Sequence, residues 1–205
     1  MEHDELNEKH LERCEGFRSA FVALIGRPNT GKSTLLNAIV GESLAVVTPL
    51  PQTTRRNLRG IYNADSLQIV FVDTPGIHKG KHVFNESMVR ESSSTLKDSG
   101  IDIVCYMVDL SRAFGPEEDE VARLVLTASV PVAIVFNKAD VAKQPTESVR
   151  LFFERYPEFS PTVHVVLSAN KSDARALFLA AIDPLIPSGP PFFPPDELTD
   201  SDLRF

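Results

Sequence analysis

Apolar positions along the chain gather into short, near-continuous runs. Residues 20–25, 67–72, 101–108, 130–136 and 162–167 are such runs, rich in β-branched side chains. Runs of that length mark strands buried on both faces, the condition of a largely parallel sheet. Between them lie helix candidates at 32–40, 84–98, 116–128, 147–156 and 171–182. Pro116, followed by Glu117, Glu118 and Asp119, is a favourable helix start, with proline in the first turn and acids at the positive end of the dipole. Strands alternating with helices predict an α/β, doubly wound sheet with helices on both faces. Residues 57–62 are expected to pair with 67–72 across 63–66, which gives six strands, one of them antiparallel.

The pattern breaks near Asp183. From Pro184 to Pro195 there are six prolines, including the pairs Pro190-Pro191 and Pro194-Pro195. Proline lacks the N–H that a helix or central strand needs, so this stretch reads as a semi-rigid linker leaving the domain. A polar tail, 196–205, follows and is too short to fold alone. The first sixteen residues carry six acids and two bases around no apolar core. They read as a solvated acidic extension, neither signal nor transit peptide. The expected organisation is therefore an extension over 1–16, one core domain over 17–183, and a linker over 184–205 toward a further domain that this chain lacks.

Composition narrows the picture. With 42% hydrophobic and 24% charged residues over 205 positions, the chain is an ordinary globular one. It needs no disulfide staple. Its two cysteines are Cys14 and Cys105, the latter inside an apolar run, and they imply a reducing, cytoplasmic setting. A formal net charge of −7 argues against bulk electrostatic grip on nucleic acid. No run is long enough to span a membrane. Peripheral membrane contact stays among the candidate partners.

Gly26-Arg27-Pro28-Asn29-Thr30-Gly31-Lys32-Ser33 fits the phosphate-loop pattern, two glycines with four residues between them and then Lys-Ser, between a strand and a helix. Glycines let the backbone curl so that successive N–H groups face phosphate oxygens, and the helix that follows adds its positive end. Asn29, Thr30, Gly31, Lys32, Ser33 and Thr34 are thus candidate phosphate contacts. Lys32 reaches the β- and γ-phosphates and the Ser33 hydroxyl ligates Mg²⁺. Asp73-Thr74-Pro75-Gly76 follows the strand at 67–72. Asp73, at a strand's C-terminal end, is placed to hold Mg²⁺, and the Gly76 amide to sense the γ-phosphate.

Asn137-Lys138-Ala139-Asp140 closes another strand. A carboxylate at Asp140 accepts from N1–H and the 2-amino group of guanine. Adenine offers neither donor, so the motif reads as GTP over ATP. The Lys138 stem can lie over the base, and Asn137 braces the loops. In Ser168-Ala169-Asn170 the Ala169 amide is expected to donate to the guanine carbonyl.

Taken together, these segments resemble the GTPase domain of the Era family. Pro51-Gln52-Thr53-Thr54-Arg55 is similar to its switch I, Asp73 to His78 to its switch II, and Pro187 to Pro191 with Leu198-Thr199-Asp200 to its joint with an RNA-binding KH domain. The resemblance covers residues 19–205. It implies a P-loop GTPase fold, GTP and GDP as ligands with Mg²⁺, and action on small-subunit ribosomal RNA in small-subunit assembly. The RNA role is implied for a longer protein, since the chain stops where KH should begin. The resemblance makes Lys32, Thr54 and Gly76 the catalytic set, with Thr54, or Thr53 as the alternate, joining Ser33 and Asp73 around Mg²⁺. Ile77 stands where Ras-like enzymes place a water-orienting glutamine, so slow intrinsic hydrolysis is expected. The alternative is a switch that hydrolyses GTP only when a partner is bound. In relatives with a hydrophobic residue at that position, a P-loop asparagine helps hold K⁺; Asn29 is the candidate here. His78 and the cluster Arg55, Arg56 and Arg59 read as solvated residues.

Overall fold

The computed structural model describes residues 16–41, 58–72, 100–159 and 163–193. Along the chain run β1 (Arg18–Ile25), α1 (Lys32–Val40), β2 (Leu58–Ala64), β3 (Leu67–Val72), β4 (Ile103–Asp109), α2 (Pro116–Leu126), β5 (Val132–Asn137), α3 (Pro145–Arg155), β6 (Val163–Val166) and α4 (Ala174–Ile182). The strands form one sheet in the order β2-β3-β1-β4-β5-β6. All neighbours are parallel except β2 and β3, which form a hairpin around Asp65 and Ser66. The expected architecture is thus the observed one. The helix expected at 84–98 lies outside the described residues.

Near-continuous apolar strands follow from burial on both sides. In β4, Val104, Tyr106 and Val108 pack with α2 and with Phe152 of α3. Ile103, Cys105 and Met107 face the other way, toward Leu35 and Ile39 of α1 and Phe178 of α4. Cys105 is fully buried, and burial pushes its thiol well above the ordinary range. Phe152 anchors α3: its ring lies 5.9 Å from Tyr106, 5.5 Å from Phe114, 5.2 Å from Phe136 and 4.9 Å from Tyr156. Offset and edge-on aromatic pairs of this kind add to the burial term. The run at 162–167, expected to be buried on both faces, differs. Its strand β6 sits at the sheet edge, where His164 and Val166 are exposed.

The acids at the start of α2 split in role. Glu117 is exposed, as dipole complementarity allows, but Glu118 is fully buried. It turns under the sheet crest instead of into solvent, because a cation waits there.

The proline-rich stretch does not leave the domain at Pro184. Ser188 bridges antiparallel to Arg18, the Ser19 amide donates to the Pro187 carbonyl at 3.2 Å, and the Gly189 amide donates to Phe17 at 3.0 Å. Ser19 Oγ donates to the Pro190 carbonyl at 2.7 Å. Gln68, fully buried on β3, uses its whole amide. It accepts from the Phe192 and Phe193 N–H groups at 2.7 and 3.0 Å, and donates to the Phe193 carbonyl at 2.9 Å and Asn63 Oδ1 at 2.8 Å. Prolines cannot donate, but their carbonyls still accept, and the non-proline residues between them supply the donors. Phe192 stacks on Phe21 at 4.2 Å and Phe193 is buried. Gln68→Ala would strand three backbone groups of this segment, at about 1–3 kcal/mol for each group left unsatisfied. We expect the variant to lose about 3 kcal/mol or more in urea unfolding. An unchanged midpoint would mean that residues 186–193 contribute nothing to the domain.

Candidate nucleotide site

The chain leaves β1 at Ile25, curls through Gly26 to Gly31, and enters α1 at Lys32. Two glycines are required by space. A Cβ on Gly26 would stand 2.4 Å from the Met107 carbonyl, and one on Gly31 would stand 2.2 Å from Asn137 Nδ2, at a φ of +99° that disfavours side chains. Asn29 also adopts a left-handed φ of +64° at the outer turn of the loop. Lys32 Nζ donates to the carbonyls of Gly26 and Arg27, both at 2.7 Å, so its ammonium is held over the centre of the loop. The Thr30 hydroxyl points inward to the Arg27 carbonyl at 3.0 Å and is a brace. Asn29, Ser33 and Thr34 are exposed around the mouth. The residue that caps α1, Gly31, offers no side chain to its first turn, and the N-terminal end of a helix favours an anion. A cradle shaped by backbone, with a lysine and a serine hydroxyl at its edge, fits a magnesium-bound polyphosphate.

Beneath the loop lies an interaction that the sequence did not announce. Arg27 Nε stands 2.5 Å from Glu118 Oε2, with both side chains buried. The approach is a charge pair without hydrogen-bond alignment, and Arg27 Nη2 finds no partner among the described residues. Tyr106 donates its hydroxyl to Glu118 Oε1 at 2.5 Å. Burial raises the Glu118 carboxyl above its ordinary value, and the hydrogen bond from Tyr106 and the charge of Arg27 offset only part of that rise. The arrangement ties the phosphate loop to α2. Arg27 had looked like one of the free positions of the motif, and only the packing shows where its side chain goes.

The loops that carry Asn137 to Asp140 and Ser168 to Asn170 meet the phosphate loop at Asn137, the last residue of β5. Its Nδ2 donates to the Thr30 carbonyl at 2.7 Å, and its Oδ1 accepts the Ala169 N–H at 2.8 Å. Asn137 is therefore the expected brace. The Ala169 amide, expected to face the base, is directed at Asn137. Asp140 is exposed; its backbone N–H donates to Ser168 Oγ at 2.9 Å, and its Oδ2 accepts from Asn170 Nδ2 at 3.1 Å. Hydrogen bonds from Asn170 and then at Ser168 hold the Asp140 carboxyl below its ordinary value. It is an ionised double acceptor beside the crevice. Lys138, at a left-handed φ of +63°, sends its Nζ to Asp109 Oδ2 at 2.7 Å. Asp109 was also missed. Its signal in the sequence is an acid closing an apolar strand, opposite Asn137 in the sheet register.

Thr54, Asp73 and Gly76 lie outside the described residues, as do Arg55, Arg56, Ile77 and His78. A separate cleft of about 900 Å³ runs between Leu110, Phe114, Val141, Ser148 and Leu151. It contains none of the motif residues.

A family model described as 50S ribosome-binding GTPase matches residues 21–138. GTPase Era of Geobacter metallireducens is 39% identical over 191 residues, 92% of this chain and 62% of that protein. GTPase Era of Geotalea uraniireducens is 41% identical over 191 residues, covering 92% and 63%. Among solved structures, Aquifex aeolicus Era bound to GDP and AlF4⁻ superposes with a TM-score of 0.67 at 32% identity, over 92% of this chain and 64% of that one. Era in complex with MgGDPNP and nucleotides 1506–1542 of 16S ribosomal RNA gives 0.66 at 32% identity, over 88% and 61%. The chain thus spans somewhat less than two-thirds of the length of these relatives. With the phosphate loop, strands β2 to β5 and the Asn137-Lys138 step inside residues 21–138, the chain belongs to the 50S ribosome-binding GTPase family.

Proposed function

We propose that this chain is a guanine-nucleotide switch that binds GTP and GDP, hydrolyses GTP slowly to GDP and phosphate, and works within a longer protein. The observation that carries the reading is the Asn137 amide. It joins the phosphate loop to the loop that orders the Asp140 carboxylate, so the two ends of one nucleotide would be bound by a single rigid frame.

In this reading Lys32 and the N-terminal amides of α1 neutralise the β- and γ-phosphates while Asp140 accepts from guanine. The Ser33 hydroxyl would hold Mg²⁺, with Thr54 and Asp73 from the switch segments. The ion, when bound, supplies further charge neutralisation at the phosphates. Phosphoryl transfer depends on such positioning rather than on covalent catalysis. With Ile77 in place of a water-orienting side chain, intrinsic turnover is expected at roughly 10⁻⁴ to 10⁻² s⁻¹. The exposed, left-handed Asn29 at the loop mouth supports its candidacy as a K⁺ ligand.

A relative of this chain has been crystallised with 16S ribosomal RNA. We extend that partner, and a role in small-subunit assembly in the cytoplasm, to the longer protein. The net charge of −7 assigns the RNA grip to a part beyond this chain, such as a KH domain after 184–205. Among the described residues no helix is long and apolar enough to cross a membrane, and peripheral membrane contact finds no support. The second reading, hydrolysis only with a partner bound, is favoured by Ile77 alone.

Two measurements test the switch. Single-turnover GTP hydrolysis with Mg²⁺ should be faster in potassium than in sodium buffer, and Asn29→Ala should lose the difference. Equal rates would remove the cation role, and no turnover with GTP bound would leave the partner-dependent switch. Asp140→Asn should weaken GDP binding on the order of a hundredfold or more and favour xanthosine nucleotides, whose 2-carbonyl accepts from the new amide. The pH dependence has a defined sign. A carboxyl held below its ordinary value stays ionised until pH falls through that lowered value. Titration calorimetry of GDP between pH 8 and 5 should therefore show no loss of affinity attributable to Asp140.

A further inference from the structure

Asp109 is the last residue of β4 and is 1% exposed, a severe setting for a carboxylate. Both oxygens are engaged. Oδ2 accepts from Lys138 Nζ at 2.7 Å, while Oδ1 accepts the Ser111 N–H at 2.9 Å and the Ser111 hydroxyl at 2.6 Å. Burial opposes the charge, but the bonds from Lys138 and Ser111 outweigh it and keep the carboxyl below its ordinary value. Lys138 is anchored at both ends. Its backbone is held by N–H groups of Val141 and Ala142 that donate to its carbonyl at 3.2 and 3.1 Å, and its ammonium by Asp109. What lies between is the methylene stem, on a side chain still 32% exposed. An unanchored lysine on a loop would be free to sample many rotamers, and binding would have to order it.

We infer that Asp109 is a positioning residue for the nucleotide: it stretches the Lys138 stem into a preformed wall for the face of the purine. The inference rests on the guanine-nucleotide reading above. It assigns different work to the two acids of the base site. Asp140 reads the edge of the base and so distinguishes guanine. Asp109 acts only through Lys138 and serves any purine that lies on the stem, without regard to its exocyclic groups.

Asp109→Asn is the informative change because it keeps the shape. Both carboxylate positions are acceptors toward donors. An asparagine has one acceptor end and one donor end, so either orientation sets its NH₂ against Lys138 or against Ser111. The experiment is a double-mutant cycle on this chain. Fluorescent N-methylanthraniloyl GDP is titrated into the unaltered protein, Asp109→Asn, Lys138→Ala and the double variant. We expect Asp109→Asn to weaken binding about tenfold, through lost preorganisation of Lys138, and to change affinity by less than about twofold once Lys138 is alanine. The same tenfold loss should appear for the inosine and guanine diphosphates alike, leaving their ratio unmoved. Additive losses in the cycle, a shift in that ratio, or undiminished binding by Asp109→Asn would each overturn the inference. Should Asp109→Asn fail to fold, Ser111→Ala loosens the same carboxylate. It should show a smaller loss that also vanishes with Lys138→Ala, and an effect that persists there overturns the inference. Failure of the underlying reading looks different: the unaltered protein would then bind no guanine nucleotide in preference to ADP.

Discussion

The two hydrogen bonds of the Asn137 side chain are what the site depends on. Strands β1 and β5 are not neighbours in the sheet, since β4 lies between them. The loops at their ends would drift independently without a link across the crest. Asn137 supplies it, by donating to the Thr30 carbonyl and accepting the Ala169 N–H. The 2.2 Å clearance at Gly31 is the same constraint seen from the other side: the loop can lie this close only because that residue has no Cβ. Buried and bonded at both its nitrogen and its oxygen, such an amide is specific as well as stabilising, because displacement leaves polar atoms unpaired.

Charge is distributed about the crest in two layers. At the surface are the exposed Ser33 and Thr34 and the ionised Asp140, with the half-buried Lys32 beside them. Below them two acids that had no ligand role in the motifs hold the layer in place: Glu118 under Arg27, and Asp109 under Lys138. The Arg27–Glu118 pair is buried on both sides, and such a pair contributes little net stability, but losing one partner costs about 3–5 kcal/mol because it leaves an uncompensated charge. The effect of the two acids is to commit Arg27 and Lys138 to single arrangements. A loop whose backbone must meet phosphate oxygens gains from that rigidity.

At the opposite end of β1 the same logic fastens the exit of the domain. Gln68 is as deeply buried as Asn137 and also uses every donor and acceptor it has. It converts a proline-rich segment, which has no regular structure of its own to offer, into a strap fixed on the sheet over residues 186–193, with Phe192 stacked on Phe21.

Local chemistry by itself determined a great deal. Continuous apolar runs specified strands buried on both faces, the glycines and Lys32-Ser33 pointed to a phosphate cradle, and Asp140 pointed to guanine, because each signal is carried by neighbours in the chain. The hairpin and the start of α2 at Pro116 were legible for the same reason. What only the tertiary structure decided were the partners of side chains across the sheet. Glu118 looked like a surface acid at a helix start, yet it turns inward because Arg27 lies beneath the loop. Asp109 looked like the end of a strand, yet it holds Lys138 from the adjacent one. The edge position of β6 and the docking of residues 186–193 on Gln68 belong with these. Such pairings join positions up to 171 residues apart, and no local periodicity encodes which polar atom a buried polar atom will meet; that is settled when the sheet order brings the strands together.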